Sequence, residues 1–96
     1  MAALPPRTIT FAIWGPIARG DLPGLSDRVC ALLSEQDATV ALCDVAGVDV
    51  DAVTIDALAR LQLAARRQHC RIRLRNVSDE LRGLIAFMGL EDVLPG

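Results

Sequence analysis

The chain has 96 residues, and 52% of them are apolar, enough for one core and one domain. The formal net charge is -2, which lacks the basic excess of a nucleic-acid binder. All ten basic residues are arginine, so a Walker-type phosphate loop and side-chain Schiff-base chemistry are both excluded for want of lysine.

Residues 1–6 read as a flexible start without the charged head and apolar stretch of a signal peptide. In "RTITFAIW", Ile9, Phe11 and Ile13 alternate with Thr8, Thr10, Ala12 and Trp14, the period of a strand with one buried face. Gly15 and Pro16 end or bend it, and a short extra strand is expected near Pro16 to Arg19. Asp21 is placed to cap a helix that tolerates Pro23 in its first turn. That helix carries Leu25, Val29, Leu32 and Leu33 on one stripe and ends near Gln36.

"TVALCDVAG" is apolar at successive positions, which predicts a central strand covered on both faces. A second helix follows from an Asp51 cap, with Ile55, Leu58, Leu61 and Ala65 inward and Asp56, Arg60, Arg66 and Arg67 outward. "CRIRLRNV" alternates again, Ile72 and Leu74 inward against Arg71, Arg73 and Arg75. Ser78 caps a third helix whose stripe is Leu81, Leu84, Ile85 and Met88. Gly89 suits the left-handed residue that ends it, and "EDVL" can form a final strand. The alternation β-α-β-α-β-α predicts an α/β fold, a mostly parallel central sheet with three to four helices packed on it. Function in such sheets gathers where strand C-termini meet helix N-termini.

Little catalytic chemistry is on offer. The three cysteines, Cys30, Cys43 and Cys70, have no C-x-x-C spacing and read as reduced thiols of a cytoplasmic protein. The single histidine, His69, falls in a polar turn with no triad partner, and "HC" at 69–70 is too small a ligand set for a metal. Asp44, Asp49, Asp51 and Asp56 lack the lysine and the acidic pair of a receiver phosphoacceptor site and read as capping and loop acids. "RGD" at 19–21 and "NVS" at 76–78 read as a turn and a helix cap. The arginines of "RIRLR" form a small basic stripe, and Trp14 is placed on the non-core face of its strand as a possible interface anchor.

One hydroxyl, Thr54, stands at the start of the second helix among Asp49, Asp51 and Asp56. A phosphate there would gain from the helix dipole and be opposed by the carboxylates, which suits release of a partner better than locking of the fold.

The stretch from "TITFAIWGPIARGDLPGL" to "GLEDVL" resembles the STAS domain, the fold of bacterial anti-sigma factor antagonists. Asp44-Val45-Ala46-Gly47-Val48 matches the family's D-L-S-G-V pattern, Leu58 and Leu61 its L-x-x-L helix, and Ser78 to Leu90 its last helix with a Gly-Leu ending. The resemblance implies a non-enzymatic protein without cofactor or metal. Its partner would be an ATP-dependent anti-sigma factor that is also a Ser/Thr kinase, bound through Gly47, Asp49, Asp51, Val53, Thr54, Ile55 and Leu58. Thr54 falls at the usual phosphoacceptor position, although Ala52-Val53-Thr54-Ile55 replaces the D-S-S-G or D-S-T-G loop. The same resemblance accommodates an unphosphorylated scaffold or sensor subunit, or a small-ligand or nucleotide binder; no glycine-rich loop supports the last.

Overall fold

A computed structural model describes residues 7–94. The flexible start expected at residues 1–6 lies outside the described residues. Three strands, β1 (Thr8–Trp14), β2 (Val40–Gly47) and β3 (Arg71–Arg75), alternate with three helices, α1 (Leu22–Gln36), α2 (Ala52–Arg67) and α3 (Asp79–Phe87). The sheet order is β1-β2-β3 and both pairings are parallel. The α/β alternation read from the sequence is therefore the observed one.

Register places alternate residues in common rows. Ile9, Ala41 and Ile72 form one row, and Phe11, Cys43 and Leu74 the next. These rows face the helices. Val29 and Leu33 of α1, Leu58 and Leu61 of α2, and Leu81 and Ile85 of α3 join them in one core. Each fully buried Leu or Ile contributes on the order of 1.5–3 kcal/mol.

The expectation that β2 is covered on both faces does not hold among the described residues. The strand order follows the chain order, so right-handed crossovers carry successive helices to the same side. The opposite face keeps Thr8, Thr10 and Ala12 exposed on β1 and Arg71, Arg73 and Arg75 exposed on β3. Periodicity reports how apolar a strand is; the direction of winding decides what covers it.

Four smaller corrections have local causes. The expected strand at Pro16 to Arg19 is absent; Ile17 turns into the core and a 3-10 turn, Arg19–Asp21, follows. Asp21 does not cap α1 with its side chain. Its Oδ2 accepts from the Ala18 N–H at 3.0 Å and closes that turn instead. "EDVL" forms turns rather than a strand, with Leu94 buried. Met88 sits at the C-cap of α3 and is exposed, so the stripe of that helix ends at Ile85 with Leu84 half-buried. Gly89 takes the left-handed conformation, φ +72°, as the helix ending requires.

Candidate functional site: the C-terminal edge of the sheet

The loops after the three strands meet at one end of the sheet. Gly15 N–H donates to the Gly47 carbonyl at 3.0 Å, tying the turn after β1 to the end of β2. Both glycines allow close approach. A Cβ on Gly15 would stand 2.8 Å from the Asp49 nitrogen, and a Cβ on Gly47 would run into the Trp14 indole. Trp14 therefore lies against the Gly47 backbone while remaining 71% exposed. Val50, 39% exposed, belongs to the same turn as Asp49. A cavity of about 300 Å³, lined in part by Trp14, Pro16, Ile17 and Leu25, opens between the end of β1 and α1.

Carboxylates frame this edge. Asp44 accepts from the Ala46 N–H at 2.9 Å and from the Asn76 amide at 3.1 Å, which links the ends of β2 and β3. Those bonds, with a smaller contribution from the Arg75 charge, hold its carboxyl below the ordinary value. Asp51 caps α2, accepting from the Thr54 N–H at 2.8 Å, and is lowered chiefly for that reason. Asp56 pairs with Arg19 at 3.3 Å and Arg60 at 3.1 Å. These are exposed pairs of small energetic weight. Among the described residues no three His, Cys, Asp or Glu side chains are grouped so as to hold a metal ion. Burial, reinforced by the Asp44 charge, pushes the Cys43 thiol up to about 12, so it is no nucleophile.

The seven residues expected to bind a partner separate into two groups. Gly47, Asp49 and Asp51 are exposed, and Val53 is half-buried. Thr54 and Ile55 have no accessible surface, and Leu58 is 1% exposed. Ile55 and Leu58 belong to the core cluster and lie outside the exposed surface. The Thr54 hydroxyl is buried close enough to the Asp51 carboxylate to help lower its pKa, but it makes no hydrogen bond of full geometry. It is the one buried side-chain N or O atom without a partner among the described residues.

A second buried polar side chain escaped the sequence reading. Gln62 of α2 donates to the carbonyls of Ile72 at 2.8 Å and Val93 at 2.9 Å, and its Oε1 accepts from the Ile72 N–H at 2.8 Å. It thus satisfies the outward N–H and C=O of Ile72 on edge strand β3 and ties down the residues after α3.

The comparisons with known proteins agree with this geometry. The family profile described as "Mlab, STAS domain" matches residues 2–95. A solved structure, a sulfate transporter family protein from Wolinella succinogenes, is similar with a TM-score of 0.66 at 24% identity. The likeness covers 97% of this chain and 75% of that one, and it bears on the fold. No curated protein matches the sequence significantly. With a matching profile over nearly its full length and the parallel, singly wound sheet of the fold, the chain belongs to the STAS domain family.

Proposed function

We propose that this STAS domain is a non-catalytic docking module that seats a protein partner on the C-terminal edge of its sheet. The observation that carries the reading is Trp14, held against Gly47 and largely exposed. An indole fixed on one side by backbone and open on the other is the form of an interface anchor. Asp49 and Asp51 supply a charged rim, so the partner's matching surface carries an apolar slot and basic residues. Among the described residues the sheet order has no switch point, the usual crevice for a nucleotide in open α/β sheets, which favours a protein over a small ligand.

In this reading the partner is held without a chemical switch, as in a scaffold or sensor subunit, because the Thr54 hydroxyl is buried. A second reading has support of its own. In it, as the family resemblance suggests, the chain is an anti-sigma factor antagonist that binds an ATP-dependent anti-sigma kinase and is released by phosphorylation of Thr54. The hydroxyl at the third position of α2 makes no hydrogen bond of full geometry, which leaves it free for such use once the helix start opens. The two readings share the docking edge.

The test is recovery of the protein with its bound partners from its own host. Trp14→Ala is expected to weaken binding by at least about 2 kcal/mol, a loss of roughly thirtyfold in affinity. A partner retained equally by Trp14→Ala and by Asp49→Arg would remove this edge as the docking surface.

A further inference from the structure

We propose a second docking surface: the helix-free face of the sheet takes an acidic amphipathic helix from another protein. This goes beyond the edge described above and shares no residue with it.

Three observations converge on the occupant. First, parallel sheets are ordinarily covered by helices on both faces, and among the described residues this sheet is covered on one. Second, the bare face has an apolar centre. Val40 and Leu42 of β2 lie half-buried in the middle of rows whose other members are Thr8 with Arg71, and Thr10 with Arg73. A helix laid along β2, about 10 Å across, would cover that centre with its apolar stripe and reach both flanks. Third, the charge is one-sided. Arg71 and Arg73 are exposed and make no ion pair among the described residues, where both ion pairs are to Asp56. At the lower end of the face Val40, Arg66, His69 and Arg71 line a cavity of about 400 Å³. The nearest acid in the rows, Asp44, lies at the far end and is engaged by Ala46 and Asn76. Carboxylates on one flank of the incoming helix would meet Arg71, Arg73 and Arg66. The other flank needs only small polar residues to meet the threonines.

The chemistry argues for protein over nucleic acid. The centre of the face is aliphatic and offers no stacking platform, and the whole chain carries net negative charge.

The experiment places the photocrosslinker p-benzoylphenylalanine at Thr10 of the full chain in its own host, with a second version carrying it at Val50. After irradiation the crosslinked peptides are sequenced. The expected product at Thr10 is a peptide of another protein with an apolar helical stripe flanked by Asp and Glu. Combining Arg71→Glu with Arg73→Glu is expected to cut its yield about tenfold while leaving the Val50 products unchanged. Both arginines are exposed, and a preserved melting temperature shows that the variant folds. Crosslinks to residues 1–6 of the same chain, to a second copy, to lipid or to nucleic acid would overturn the proposal. So would a non-acidic peptide, indifference to charge reversal, or no product above the unirradiated control. Products at Val50 report on the edge separately, so either surface can fail without the other.

Discussion

Helix α2 buries two polar side chains, Thr54 and Gln62, about two turns apart, and the fold treats them in opposite ways. Gln62 uses both its amide hydrogens and its oxygen on backbone groups of Ile72 and Val93. At Ile72 it takes the place of a neighbouring strand on the open edge of β3. Thr54 has equal burial, but its hydroxyl makes no hydrogen bond of full geometry and only approaches the Asp51 carboxylate. A buried hydroxyl without a well-formed hydrogen bond gives up about 1–3 kcal/mol of hydration and regains only part of it from the Asp51 carboxylate. The difference separates a residue that builds the domain from one whose hydroxyl the isolated domain does not use. That unused group sits next to the docking edge, where local structure is most often set by something other than stability.

The contrast can be broken most forcefully at Thr54. Thr54→Glu would bury a carboxylate beside Asp51, and it should lower stability by about 3 kcal/mol or more in urea unfolding. A fully stable Thr54→Glu protein would mean that the start of α2 opens readily, which would revive the phosphorylation reading. Gln62→Leu should cost about 2–3 kcal/mol, because it strands both backbone groups of Ile72. Hydrogen exchange at the Ile72 amide should accelerate with it; unchanged exchange would show that another group takes over the edge. Thr54→Val removes the unpartnered oxygen at nearly constant shape and should stabilise the protein by about 1 kcal/mol. A loss instead would reveal a hydrogen bond to the hydroxyl in solution.

The smallest effect concerns the Asp51 cap. Its carboxylate accepts from backbone in the folded state, so its folded pKa lies below the ordinary 3.8. The unfolded chain therefore binds the proton first. The stability this group contributes is complete above 3.8 and is lost as pH falls through the lower folded value. Asp51→Asn keeps a capping oxygen without the titration. It should flatten the acid limb of a pH–stability curve while leaving neutral stability nearly unchanged. An unaltered acid limb would assign that limb to other carboxylates, Asp44 first.

The strands and helices were legible because their residues alternate or recur at the right periods. Ile9, Phe11 and Ile13 face the core as alternation requires, and Leu58, Leu61 and Ala65 as helical spacing requires. Thr54 belonged to the same legible pattern. Positions 54, 58, 61 and 65 form one inward stripe, and a hydroxyl in that series is still an inward residue. Gln62 was harder to see, since Gln next to Leu61 reads as a surface residue. Its only signal was a position four residues beyond Leu58. The bare face of the sheet was not legible at all, because "TVALCDVAG" looks equally apolar whether a helix of the same chain or of another protein covers it. The Trp14 edge was partly legible. The indole was visible as an outward residue of β1, but its support by Gly47 depends on a contact between segments about thirty residues apart, which no local pattern encodes.

The central claim is that a partner sits on the Trp14 edge without any modification of the buried Thr54. The most direct measurement is site-resolved mass spectrometry of the protein recovered from its host, split into partner-bound and partner-free fractions. The account predicts unmodified Thr54 in both fractions. Phosphate on Thr54, confined to the partner-free fraction, would contradict it.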